Sequence, residues 1–328
     1  MIYPWLTQQW NQFLQQREQQ RLPHALLLFG DAGIGKAQFA RAMAASLLCQ
    51  SPDDTGMACG QCSACHLLAA QTHPDLRILR PEPPKDSTSK KPLLLIRIKA
   101  IRELCTRMAM TSQFEQGYRI AILENADGMN IEAANALLKT LEEPGQNVLL
   151  ILTSSHPYRL PVTIRSRCQG LRFPRPPREQ VLSWLQANKV SQAELKLELA
   201  HGAPLLALEQ LSDDNDARGL LSAALLAGMK QQGLAHAGAL AHLPSHQGLS
   251  WMLDWISDLV RLKQLSADAV RLVNQDHHAA LNAYAGQADL RRLYALYDLV
   301  CSYIRAESIP LNGELLWENL LLSWQGLK

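Results

Sequence analysis

The sequence has almost no net charge. Its 328 residues include 32 Lys and Arg against 30 Asp and Glu, which gives a formal net charge of +2. A chain this close to neutrality has no overall electrostatic attraction to nucleic acid. The composition therefore excludes a protein that binds nucleic acid through its total charge.

A long apolar run is also missing. The longest candidates, such as residues 315–324, are interrupted by Glu318 and Asn319 and are too short to span a bilayer. The chain does not open with a basic segment followed by an apolar one, which is the pattern of a secretory signal. We therefore expect a cytoplasmic protein, and its length predicts two or three domains, each able to bury a core.

Lysine and arginine are absent from residues 49–66, where four of the seven cysteines lie. Cys49, Cys59, Cys62 and Cys65 have the spacing C-x9-C-x2-C-x2-C. In a cytosolic protein such crowding favours a metal over disulfides, and four thiolates predict a closed, structural zinc site. The alternatives are four unconnected buried thiols or a redox pair of Cys62 and Cys65. A zinc-dependent DNA-binding module is disfavoured because basic residues are missing around the cysteines.

A glycine-rich segment follows the apolar run 26–29 and precedes a predicted helix at about Ala37. Strand, glycine-rich turn and helix N-terminus are the context that a phosphate-binding loop requires. The residues that this loop would offer to phosphates are Gly30, Gly33, Gly35 and Lys36. The Ser or Thr that holds Mg²⁺ in such loops is replaced by Ala37, so we expect Mg²⁺ to be poorly placed and ATP to bind weakly or not at all. A glycine-rich turn that merely links strand and helix is the alternative.

The stretch 119–168 predicts a strand, a helix and a second strand. Short apolar runs at 120–123 and 148–152 are expected to be strands buried on both faces. Ala134, Leu137 and Leu141 recur at helical spacing between them. This order implies a parallel pair with a right-handed crossover. The tripeptide at 166–168 follows, with a short predicted strand at 171–173.

Two motifs within this stretch carry a family resemblance. Asn-Ala-Leu-Leu-Lys-Thr-Leu-Glu-Glu-Pro at 135–144 and Ser-Arg-Cys at 166–168 resemble the clamp-loader proteins of bacterial DNA polymerase III, which belong to the AAA+ ATPase class. The same spacing of four cysteines and zinc also occur in that family. The resemblance covers roughly the first two-thirds of the chain.

The resemblance implies an α/β fold in three parts. An AAA+ P-loop-type parallel-sheet domain is expected over residues 1–173, with an inserted zinc module at 49–66. A small helical lid is expected over 174–211, after a proline-rich break, and an all-α collar for oligomerisation over 212–328. Trp251, Trp255, Trp317 and Trp324 lie in the helical patterns of the last part and are expected in its core.

The same resemblance exposes two further missing groups. In active relatives, the strand that ends at Glu124 carries a Mg²⁺-binding Asp and then a catalytic Glu. Here the two positions are Glu124 and Asn125, and Asn cannot take a proton from water, so the favoured interpretation is an ordinary polar pair at the end of a strand. The arginine that related lids carry is replaced by Leu205. Thr153 or Ser154 would be the polar residue at the end of the next strand, although a plain strand terminus is an equal alternative.

We therefore predict a clamp-loader subunit that does not hydrolyse ATP itself. The resemblance implies that Arg167 reaches the γ-phosphate bound by a neighbouring subunit, and a salt bridge to Glu142 or Glu143 is the alternative. The implied partners are the ATPase and clamp-opening subunits, with primed DNA and the sliding clamp reached through the complex, which is part of a DNA-directed DNA polymerase. An independently active AAA+ ATPase is the competing hypothesis, and Ala37, Asn125 and Leu205 all argue against it.

Overall fold

A computed structural model gives the fold of residues 2–83, 94–110, 117–209, 214–243, 245–265, 271–305 and 312–328. The chain divides into two compact units, Met1–Gln180 and Val181–Lys328. The predicted boundary between lid and collar, at 211/212, lies outside these residues. The three-part division of the chain stays a prediction.

The first unit is built on a five-stranded parallel sheet. Its strands are β1 (Ala25–Phe29), β2 (Leu76–Leu79), β3 (Arg119–Leu123), β4 (Val148–Ser154) and β5 (Gln169–Arg172). They lie in the order β2-β3-β4-β1-β5. The predicted parallel pairing of β3 with β4 is confirmed, with Ile120 opposite Leu149 and Ile122 opposite Ile151. Every residue of β3 and β4 is buried, as their unbroken apolar runs predict.

Six α-helices lie entirely within the described residues of this unit. They are α1 (Thr7–Glu18), α2 (Lys36–Leu48), α3 (Ser63–Ala69), α4 (Ile98–Met108), α5 (Ile131–Glu142) and α6 (Val162–Arg165). Helix α5 connects β3 to β4 and buries Ala134, Leu137 and Leu141, as its sequence pattern predicts. The Asn130 side chain caps it by accepting a hydrogen bond from the Ala133 N–H. The helix ends immediately before Glu143 and Pro144.

The described residues of the second unit form helices joined by turns, without strands. Helices α7 (Arg178–Ala187), α8 (Ala193–Leu199) and α9 (Pro204–Glu209) enclose a small core of their own. A larger core follows, enclosed by α10 (Asp214–Met229), α11 (Ala237–Leu240), α12 (Ser245–Gln264), α13 (His278–Ala285), α14 (Leu290–Arg305) and α15 (Gly313–Gln325). The four tryptophans predicted in the core are all buried there: Trp251, Trp255, Trp317 and Trp324.

Among the helices that the structure describes, none is long and apolar enough to cross a membrane.

Candidate functional site

The glycine-rich loop has the shape of a phosphate-binding loop. It runs from the end of β1 to the start of α2, as predicted, and Gly30 and Gly35 have positive φ angles of 154° and 99°. A Cβ atom at Gly30 would lie 2.2 Å from the Phe173 carbonyl oxygen, so only glycine fits there. A Cβ at Gly35 would lie 2.7 Å from the ring of Tyr3. The N-terminal segment therefore packs directly against the loop.

Lys36 is folded back onto its own loop. Its Nζ donates hydrogen bonds to the carbonyl oxygens of Gly30 (2.8 Å) and Asp31 (2.6 Å) and to Ser155 Oγ (3.2 Å). These bonds use all three donors of the ammonium group. Burial lowers the pKa of Lys36 from 10.5 to about 8, against the opposing charges of Asp127 and Asp31. A phosphate would have to displace these contacts to reach the lysine.

The mouth of the loop is bridged by an ion pair. Arg175 donates from Nε to the carboxylate of Asp31. Asp31 and Arg175 are separated by 144 positions, so the pair ties the loop to the segment that leaves the sheet. Both side chains are largely exposed to solvent, 66% for Arg175 and 49% for Asp31. The contribution of this pair to stability is therefore small.

Glu124, expected at the metal position, is held by two arginines. Arg41 on α2 donates to its Oε1 at 2.6 Å, and Arg80 donates to its Oε2 at 2.9 Å. Both carboxylate oxygens are thereby engaged, while the residue is buried. Ala37, at the start of α2, offers no hydroxyl for a metal. The two groups that would hold Mg²⁺ in an active ATPase are thus unavailable or absent.

Asn125 follows Glu124 in a left-handed backbone conformation, with φ of 49°. Its N–H donates to Thr153 Oγ1 at 3.0 Å, and Thr153 and Ser154 are buried at the end of β4. Thr153 therefore fixes the backbone at the end of the neighbouring strand, which is a structural role. Asp127 lies on the following turn, as its register predicts, 3.5 Å from His156 Nδ1.

Arg167 lies just beyond α6 with its side chain 37% exposed. It forms an ion pair with Glu142 at the end of α5, with an N–O distance of 2.7 Å, and it donates to the Thr163 carbonyl oxygen at 3.1 Å. Glu142 is itself 49% exposed. The nearby Arg165 instead stacks over the ring of Tyr158, 5.3 Å from its centre. The guanidinium of Arg167 is accessible, but the salt bridge considered from sequence is present.

An apolar side chain occupies the position at which the resemblance predicts that an arginine is missing. Leu205 lies on α9 and is buried. A buried leucine has no group that can contact a phosphate.

The four clustered cysteines meet at one point. Their sulfur atoms lie within 4.8 Å of one another. The Sγ–Sγ distances are 3.9 Å for Cys49–Cys62, 3.9 Å for Cys59–Cys65 and 3.6 Å for Cys49–Cys65. Four sulfurs placed tetrahedrally about 2.3 Å from a zinc ion would be about 3.8 Å apart. The donor set and its dimensions therefore fit a closed metal site.

Backbone hydrogen bonds favour the thiolate form of two of these cysteines. Backbone N–H groups of Gln61 and Cys62 donate to the Cys59 sulfur and lower its pKa to about 6. A backbone hydrogen bond from Gln50 likewise lowers the pKa of Cys62. Burial raises the pKa of Cys65 to about 12. Thiolates are the ligand form, so a bound dication would supply the charge that keeps Cys65 ionised.

Several residues of this region carry no recognisable sequence signal. Arg41 lies on α2, one and a half turns beyond the loop, and Arg80 follows the edge strand β2. Nothing in the spacing of either arginine connects it to Glu124, which is distant in sequence. Ser155, the third acceptor for Lys36, is likewise an ordinary residue after a strand.

Two family models match this chain. Residues 5–177 match the family model described as DNA polymerase III, delta subunit, and residues 212–326 match its C-terminal counterpart. The chain is 36% identical to DNA polymerase III subunit delta-prime of Pseudomonas aeruginosa, with 99% of this chain and 98% of that protein covered. The chain belongs to the DNA polymerase III delta-prime family. The family predicted from the motifs at 135–144 and 166–168 is thereby confirmed.

Other relatives agree with this assignment. The chain is 31% identical to the delta-prime subunit of Escherichia coli K12, with 98% of this chain and 94% of that protein covered. Among solved structures, a gamma subunit-related protein of DNA polymerase III from Thermotoga maritima is 16% identical, covers 96% of this chain and 99% of its own, and has a TM-score of 0.48. Family membership rests on the sequence relatives.

Proposed function

We propose that this chain is the delta-prime subunit of a DNA polymerase III clamp loader. In this role it helps the complex to place the sliding clamp on primed DNA during replication in the cytoplasm. Its partners are the ATPase subunits and the clamp-opening subunit. The proposal rests on the similarity to delta-prime subunits over nearly the full length of the chain. It is supported by the absence of a metal-binding hydroxyl at Ala37 and of a catalytic carboxylate at Asn125.

The subunit itself does not hydrolyse ATP. Ala37 provides no metal ligand, Asn125 provides no base, and Leu205 provides no lid arginine. The ammonium group of Lys36 is already bonded to three protein oxygens. The remaining loop supports at most weak nucleotide binding through Gly30, Gly33, Gly35 and Lys36.

Arg167 acts in trans. Its guanidinium contacts the γ-phosphate of ATP bound to the neighbouring subunit, where it stabilises the charge that develops on the phosphoryl oxygens. Its partial exposure and its position just beyond the short helix α6 support this role. The ion pair with Glu142 holds the arginine near the surface of the free subunit. On assembly the arginine exchanges a half-exposed carboxylate for a phosphate.

The metal at the cysteine cluster is a structural zinc ion. Cys49, Cys59, Cys62 and Cys65 occupy all four positions, so no coordination position is left for substrate or water. Zinc there ties α3 to the C-terminal end of α2. It takes no part in hydrolysis.

Phosphate release by the isolated chain tests the absence of ATPase activity. We expect steady-state release in the presence of ATP and Mg²⁺ to equal the background rate, and Lys36→Ala to leave it unchanged. Release well above background that is abolished by Lys36→Ala would instead establish an independent ATPase. Wild-type and variant chains should be compared at equal zinc content, so that loss of fold is not mistaken for loss of activity.

A further inference from the structure

The segment that leads into Arg167 exposes two large apolar side chains. Tyr158, in the 3₁₀ turn Pro157–Arg159 that follows β4, is 87% exposed. Val162, the first residue of α6, is 67% exposed. Single exposed apolar residues are common on protein surfaces and need no explanation. These two, however, lie on the segment that carries Arg167, and neither packs in the core of its unit.

The Tyr158 ring is supported by an arginine. The Arg165 guanidinium lies over the ring, 5.3 Å from its centre, so one face of the ring is covered and the remainder faces solvent. The Nε of Arg165 is buried and has no hydrogen-bond acceptor among the residues that the structure describes. The stacking contact therefore positions these two side chains against each other. Tyrosine and arginine are enriched among the residues that contribute most to protein–protein binding.

The same surface continues to Arg167. Its guanidinium donates to the Thr163 carbonyl oxygen at 3.1 Å, so it lies beside α6 itself. Helix α6 has four residues and is therefore about 6 Å long. A protein interface of standard size covers about 800 Å² on each partner, which corresponds to a radius of about 16 Å. A partner that brings a phosphate to Arg167 therefore also covers Val162 and the Tyr158 ring on which Arg165 stacks.

The charge of the segment indicates the kind of surface that complements it. Residues 156–168 include three arginines and neither aspartate nor glutamate. Glu142 pairs with Arg167. Among the residues that the structure describes, neither Arg159 nor Arg165 forms an ion pair. A partner surface with acidic side chains around an apolar hollow would complement both the charge and the exposed apolar groups.

We propose that Tyr158 and Val162 dock the chain onto the ATPase subunit whose nucleotide Arg167 reaches, an inference that rests on the function proposed above. The two apolar side chains enter an apolar hollow of that subunit, and its acidic side chains surround Arg159 and Arg165. Burial of Tyr158 and Val162 contributes affinity, whereas Arg167 contributes stabilisation of the transition state. The phosphates of DNA would also suit the arginines, but they offer no apolar surface to Val162.

Affinity for the purified cognate ATPase subunits tests the proposal. Full-length, zinc-containing chain is titrated against the immobilised subunits by biolayer interferometry. The double variant Tyr158→Ser, Val162→Ser should bind about tenfold more weakly or worse, because two exposed apolar side chains are no longer available for burial. Tyr158→Phe keeps the ring and should bind as the wild type does. The matched control is Leu94→Ser, an exposed apolar residue beside the opposite sheet edge, where Leu95 pairs with Glu82 just beyond β2.

Hydrolysis by the assembled complex separates this docking role from the trans role of Arg167. The double variant should raise the concentration of chain that gives half-maximal hydrolysis by about tenfold and keep the maximal rate. Arg167→Ala should show the reverse, with wild-type affinity and a lower maximal rate. Weak binding of the double variant together with unchanged hydrolysis in Arg167→Ala would support docking and contradict the trans role.

Other outcomes would overturn the docking role even if Arg167→Ala slows hydrolysis as expected. One is wild-type affinity in the double variant, and another is an equal loss of affinity in Leu94→Ser. A third is weaker binding of the double variant to primed DNA with unchanged affinity for the ATPase subunits. A wild-type chain that does not bind those subunits would contradict both the docking role and the proposed function. Equal zinc content and unfolding temperature of all variants exclude loss of fold as the cause.

Discussion

At the scale of single residues, the nucleotide-like site is defined by side chains that are already engaged. Lys36 bonds to the loop that it would serve, and Glu124 is shared by two arginines. Sequence alone identifies the chemical defects at Ala37 and Asn125, because each depends only on which functional group is present. It does not identify the partners of Glu124, because Arg41 and Arg80 reach it only after the chain has folded.

The buried ammonium of Lys36 predicts a pH-dependent contribution to stability. Its folded pKa of about 8 lies below the ordinary value of 10.5, so between these pH values the unfolded chain binds more protons. The free energy of unfolding therefore rises with pH between these two values. Below pH 8 the folded chain must keep a buried charged lysine, which lowers its stability. Relative to Lys36→Met, the wild-type chain should gain up to about 3 kcal/mol between pH 7.5 and pH 10.

Thermal unfolding of the two proteins at both pH values measures this difference. Comparison with Lys36→Met cancels the titration of other groups, including the cysteines. The predicted result is a gap in unfolding temperature that moves in favour of the wild type as the pH rises. A gap that stays constant would mean that Lys36 titrates as an ordinary exposed lysine.

At the scale of elements, the strands with apolar runs were predictable, including the edge strand β2 at Leu76–Leu79, and the other edge strand, β5, was predicted with wrong bounds. Strands β3 and β4 have unbroken apolar runs, so their positions and parallel pairing follow from sequence. Strand β5 spans Gln169–Arg172, whereas residues 171–173 were predicted, because its exposed residues give no apolar pattern. Its position is instead set by pairing with β1, where Leu27 lies opposite Gly170.

The cysteine module is the element that depends most on a bound ion. Its segment between α2 and α3 contains no strand, and much of it is half-buried or exposed. We predict about one zinc ion per chain, lost when Cys62→Ser and Cys65→Ser are combined. Amide hydrogen exchange should then rise in residues 49–70, while strands β3 and β4 stay protected. Such a local response is expected because the sheet has its own apolar core.

Cysteines outside the cluster provide the control for this experiment. Cys105 and Cys168 are free and half-buried and lie outside the metal cluster. Replacing both with serine should leave the zinc content unchanged. Metal retained after loss of Cys62 and Cys65, or absent from the wild-type protein, would contradict the assignment.

At the scale of the whole molecule, the chain combines an ATPase-like sheet domain with a helical second unit. The family relationship extends over nearly the full length, although motifs read from sequence covered about two-thirds. The last third was predictable only as helical, since its tryptophans and leucines show helical spacing without a signature of function. The structure accounts for that pattern, because Trp255, Trp317 and Trp324 form part of a single buried core.

The central claim is that the chain contributes to hydrolysis only through a neighbour. Three variants in a reconstituted clamp loader separate the two possible roles of Arg167. Arg167→Ala removes the trans contact and the ion pair, Glu142→Gln removes only the ion pair, and Arg165→Ala removes a nearby arginine of the same segment.

The decisive measurement is ATP hydrolysis by the complex in the presence of primed DNA and clamp. With Arg167→Ala, the rate of hydrolysis at the adjoining site should fall by about 10²- to 10³-fold, which is the effect of losing one group that stabilises transition-state charge. Zinc content and assembly should be unchanged. Glu142→Gln and Arg165→Ala should hydrolyse ATP nearly as well as the wild type. Unchanged hydrolysis with Arg167→Ala, or an equal loss with Glu142→Gln, would contradict the account.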